Sequence, residues 1–71
     1  MQKLQQLDVV ALTADVPEQG LVRGQVGTIV AVLTHDVYEV EFSDEDGHSY
    51  AELALRDDQL MRLHYRPEQA A

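Results

Sequence analysis

Carboxylates are the groups in this chain with the most chemistry to offer. Thirteen Asp and Glu stand against five Lys and Arg, a formal charge of −8, and six of the acids fall in two groups: Glu39, Glu41 and Glu52, and the run Asp44-Glu45-Asp46. Such groups can ligate a divalent cation, act as an acid/base pair, or attract a basic partner. As a calcium loop the run fails, because setting Asp44, Asp46 and Gly47 at its third, fifth and sixth positions places Phe42 and Leu53 at the first and last ligands. Paired carboxylates on an exposed face also lack the enclosed site of a glycosidase. Attraction needs only a surface and a field, and long-range charge supplies the field. Tyr50 stands near Glu52 in sequence and offers the amphipathic contact enriched at interfaces. The expected partner-binding set is therefore Glu39, Glu41, Tyr50, Glu52, Asp44, Glu45 and Asp46.

Other chemistry is poorly represented. His35, His48 and His64 fall in three different turns or strand ends, with no cysteine anywhere, so no metal site is expected. Ser43 and Ser49 lack a strained nucleophile turn, and no glycine-rich phosphate cradle runs from a strand into a helix. The expectation is a protein that is not an enzyme and carries no cofactor. Eight surplus negative charges oppose a phosphate backbone, which makes nucleic acid a poor partner. Met1 to Leu12 holds no basic start followed by an apolar stretch, and the apolar runs fall far short of the ~20 residues of a membrane helix. A cytoplasmic protein is expected on that ground.

The elements that must position these groups are strands. Seventy-one residues allow one domain. The pattern predicts a lead-in over 1–6, a folded domain over 7–65 and a frayed tail over 66–71. Asp8 to Leu12 reads as a first strand, followed by a long loop from Thr13 to Gly20. Val26 to Leu33 is the longest strand, with Gly27 marking a bend or a close backbone approach. Val37 to Phe42 alternates with a period of two and turns Tyr38, Val40 and Phe42 inward.

Asp46-Gly47 favours a two-residue type I′ turn, which pairs Phe42 with Ala51, Val40 with Leu53 and Tyr38 with Leu55. A four-residue loop, Asp44 to Gly47, shifts the pairing by two and keeps the faces; a three-residue loop would oppose Val40 to Glu52 and is disfavoured. Either permitted register sets Glu39 or Glu41 directly across from Glu52, a mildly destabilising arrangement that a partner's cation would relieve. Arg56 or Arg62 is an alternative source of that cation. Arg56 to Gln59 reads as one helical turn, and Leu60 to Leu63 as a last strand. The fold class is thus all-β: a small five-stranded antiparallel barrel with one short helical turn near residues 56–59.

Leu7 to Leu12, Leu21 to Val30, Tyr38 to Phe42, Asp46-Gly47 and Leu53 to Leu60 together resemble a family of small bacterial proteins known only as a domain of unknown function. The resemblance implies an SH3-like barrel and no known activity or site. Val26 to Val30 followed by Tyr38 to Phe42 also resembles the KOW motif of ribosomal and elongation proteins, whose RNA-binding members bring basic loops where this chain has Asp15, Glu18, Asp44, Glu45 and Asp46. The expected function is a non-catalytic interaction module, a small acidic accessory or immunity-like partner of a basic protein. Alternatives are a KOW-like nucleic-acid-binding protein and an assembly or maturation factor for a metalloenzyme. A homo-oligomer through an exposed strand edge is a further option.

Overall fold

Five short segments rich in β-branched residues pair edge to edge in the computed structural model, which describes residues 4–64. They are β1 (Val9–Leu12), β2 (Val26–Thr34), β3 (Val37–Ser43), β4 (Ser49–Arg56) and β5 (Leu60–Arg62). All join one antiparallel sheet in the order β4-β3-β2-β1-β5. Apart from the strands there are two single 3₁₀ turns, Pro17–Gln19 and Asp57–Gln59, the second standing where the helical turn was expected. The tail expected over 66–71 lies outside the described residues.

Alternation decides which side of the sheet is the core. Tyr38, Val40 and Phe42 are all but sealed from solvent, as are Val10, Leu12 and Ile29 on the neighbouring strands. Leu55, Leu60, Val16 and Leu21 complete this cluster, and Leu4, Ala51 and Leu53 pack against its margin. Each large apolar side chain hidden in this way contributes roughly 1.5–3 kcal/mol. Leu4 belongs to the lead-in, yet it reaches the core. Leu7 does not: its backbone N–H bonds Ile29 at 2.7 Å while its side chain stays exposed, at a φ of 75°.

Gly27 explains how β2 and β3 come so close. A Cβ there would lie 2.8 Å from Val40 Cγ1, 2.9 Å from the Glu41 carbonyl oxygen and 3.0 Å from Phe42 Cδ2. Only a residue without a side chain fits, which is the close approach that its position inside a strand pattern predicts. Val30 and Leu33 are each an extra residue in β2 relative to β3, and such bulges bend a strand.

The expected barrel is not closed by hydrogen bonds: β4 and β5 are the two edges of the sheet and do not pair with each other. The sheet is nevertheless strongly curled. Four Cα steps from Arg56 to Leu60 span at most about 15 Å, whereas the edges of a flat five-stranded sheet lie about 19 Å apart. The short turn between the edges holds this curl. Arg56 donates its backbone N–H to Gln59 Oε1 at 2.8 Å, Asp57 N–H bonds the Asp36 carbonyl at 3.0 Å, and Thr13 N–H bonds the Gln59 carbonyl at 3.0 Å. The long first loop is also built. Val16 and Leu21 bond each other's backbone across Pro17–Gln19, and both side chains enter the core.

Candidate functional site

The β3–β4 ladder puts three carboxylates on the outer face. Phe42 pairs with Ala51, Val40 with Leu53 and Tyr38 with Leu55, so the inward residues meet apolar partners as the two-residue turn requires. Their outward neighbours follow: Glu41 stands directly across from Glu52, and Glu39 across from Ala54. On the other side of β3, Thr28 and Ala31 of β2 face Glu41 and Glu39 and bring no charge.

Glu39 and Glu52 meet diagonally. A hydrogen bond with Glu39 raises the pKa of Glu52 above the ordinary value of 4.5, and partial desolvation and the Glu39 charge act in the same direction. Two acids that share a hydrogen bond can do so only when one keeps its proton. The arginines offered as internal counter-ions are engaged elsewhere: Arg56 Nε lies 3.1 Å from Asp58, and Arg62 lies 3.2 Å from Asp8 on the inner side of β1 and β5.

The hairpin tip departs from the expected geometry. Asp44 N–H bonds the His48 carbonyl at 2.9 Å and Gly47 N–H bonds the Asp44 carbonyl at 3.0 Å, which leaves Glu45, Asp46 and Gly47 as a three-residue loop. Gly47 alone of the three has a positive φ, 85°, so the turn is not type I′. The strand register survives because β4 carries one extra residue: Ser43 pairs with Ser49, Phe42 with Ala51, and Tyr50 is left between. A bulge absorbs the odd residue.

That bulge also moves Tyr50. Its ring lies 6.4 Å from that of Phe42, and its hydroxyl accepts a 3.0 Å bond from Gln25 Nε2. Tyr50 therefore bridges the start of β4 to the turn before β2 and does not lie along the carboxylates. Of the expected site residues, the structure gathers Glu39, Glu41 and Glu52 into one patch. Asp44, Glu45 and Asp46 form a separate tip, and Tyr50 turns away from both.

The tip holds a grouping that sequence spacing hid. Asp44, Asp46 and His48, all exposed, bring ligand atoms within 4.8 Å of one another, since the turn folds alternate residues to one side. Asp44 Oδ1 already accepts the backbone N–H groups of Asp46 at 3.0 Å and His48 at 2.9 Å, and His48 Nδ1 lies 3.7 Å from Asp44 Oδ2. These contacts shape the turn itself. No helix among the described residues is long and apolar enough to cross a membrane.

A curled five-stranded sheet on one core, with acid on the outside of its β3–β4 half, defines a small all-β domain. The chain belongs to the family described as a domain of unknown function, DUF4926, whose profile matches residues 6–62 and so takes in every strand. Neither a curated protein nor a solved structure matches it.

Proposed function

We propose that this chain works by binding rather than catalysis, and that it holds a basic protein against Glu39, Glu41 and Glu52 on the outer face of β3 and β4. The observation that carries this is the direct opposition of Glu41 and Glu52, reinforced by Glu39 on the diagonal. Like charges set opposite each other across strands weaken a sheet. A lysine or arginine from outside would relieve what Arg56 and Arg62, paired with Asp58 and Asp8, leave in place. An accessory or immunity-like role, capping the basic site of another protein, suits a surface of this charge. The strand order and the 3₁₀ turn before β5 also support an SH3-like barrel left open between β4 and β5.

The test compares two triple variants of equal charge by calorimetric titration with hexalysine. One is Glu39→Gln, Glu41→Gln, Glu52→Gln; the other is Asp15→Asn, Glu18→Gln, Asp57→Asn. Each removes three carboxylates, taking the net charge from −8 to −5. The first should lose most of the affinity and its salt dependence, and the second should keep both. Equal weakening in the two would mean that the protein's overall field, not this face, attracts cations. Nucleic-acid binding through the KOW-like face would instead show as salt-sensitive retention on RNA.

A further inference from the structure

The backbone of β4 gives the acidic face a direction. Pairing with β3 runs unbroken from Ala51 to Arg56, and Arg56 sends its N–H away from β3 to Gln59 Oε1 at 2.8 Å. In an antiparallel pair alternate residues turn their polar backbone groups to the same side. Glu52 and Ala54 therefore present N–H and C=O groups along the free edge, two donors and two acceptors in all. The window is bounded at both ends, by the Tyr50 bulge and by the Gln59 cap on Arg56. Inward of it, Ala51 and Leu53 are only half-buried at the margin of the core.

We propose that β4 receives an extended segment of its partner as a sixth strand, in which basic residues alternate with apolar ones. This rests on the acidic-face reading above and adds its geometry. A strand paired at Glu52 and Ala54 sets every second side chain on the outer face beside Glu52 and Glu39, where lysine or arginine is the complementary choice. The side chains between them fall on the inner side, over Ala51 and Leu53, where apolar residues extend the core. Charge decides the occupant. A second copy would bring another −8 and a second Glu52 to the same edge, whereas a basic strand brings the opposite sign to both.

The probes are two capped heptapeptides of lysine and valine with equal composition, one alternating and one with the lysines in a block. The alternating peptide should bind at least about tenfold more tightly, since only it can combine backbone pairing with both faces. On binding, the Glu52 and Ala54 amides should become protected from hydrogen exchange. Ala54→Pro removes one edge donor at a position where an edge strand tolerates proline, and should abolish the preference while leaving the block peptide's affinity unchanged. If that variant does not fold, the exchange protection in the unaltered chain decides the matter. Equal affinities without protection would overturn strand addition and leave the acidic face standing; no affinity for either peptide would remove both. A dimer formed through β4, with protection of the same amides in the absence of peptide, would overturn the choice of occupant.

Discussion

The sheet ends in two edges that are kept from sticking in opposite ways. β4 is eight residues long, and its outward face carries Glu52 with Glu39 and Glu41 behind it. β5 is three residues long, with Leu60 buried, Met61 exposed and the one charge, Arg62, tied to Asp8. Unpaired strand edges invite association, and natural sheets guard them by brevity or by charge. Here the short edge keeps its charge paired with Asp8, and the long edge turns its own outward. On the binding proposed above, charge on β4 guards against unselective pairing while leaving the edge open to a strand of opposite sign.

The comparison predicts unequal responses, and the largest lies at the root of β5. Leu60→Ala should destabilise the fold by about 2–5 kcal/mol, whereas Met61→Ala beside it should change stability by about 0.5 kcal/mol or less. Urea unfolding of the pair measures this; similar losses would mean that β5 is held by its outer face as well. Next comes the place where the two edges are joined through the middle of the sheet. Gly27→Ala should cost about 1–3 kcal/mol, because Val40, Phe42 and the Glu41 carbonyl must all give way. The same unfolding curves read it, and a neutral result would show that β2 and β3 can slide apart without loss.

A smaller effect separates the edges by pH. Glu52 holds its proton more tightly in the folded chain, so the folded state binds more protons above pH 4.5 and stability falls as the pH rises through the raised value. Glu52→Gln should therefore raise the Tm at pH 7, and that advantage should vanish below pH 4.5. A Tm difference unchanged between the two would remove the carboxyl pair as its cause. Smallest is Tyr38→Phe. The hydroxyl only reaches the His35 carbonyl at 3.5 Å, so the loss should stay below about 1 kcal/mol by thermal unfolding.

How far the chain could be read without coordinates depended on periodicity. Tyr38, Val40 and Phe42 alternate without interruption, so their burial and their partners on β4 followed from a period of two. Gly27 was legible for a related reason, as a missing side chain within a β-branched run is a local signal. Tyr50 was not. A single-residue bulge leaves no mark in an alternating pattern, and counting outward from a regular turn sets Tyr50 beside Glu52 instead of against Phe42 and Gln25. His48 was missed beside Asp44 and Asp46 for the same reason, since it depends on how the turn closes. Closure of the barrel was equally hidden: whether β4 and β5 bond or merely approach depends on curvature accumulated over five strands.

The odd-numbered tip and the extra residue in β4 are two halves of one arrangement. The same residues between Phe42 and Ala51 could close instead through a two-residue Asp46-Gly47 turn with no bulge, and then Ser43 would face Tyr50 and the phenol would swing to the outer surface, releasing Gln25. Loop parity thus selects which surface the aromatic ring serves, and a change of turn at the tip alone would put an aromatic group beside Glu41 and Glu52 with the sequence unaltered.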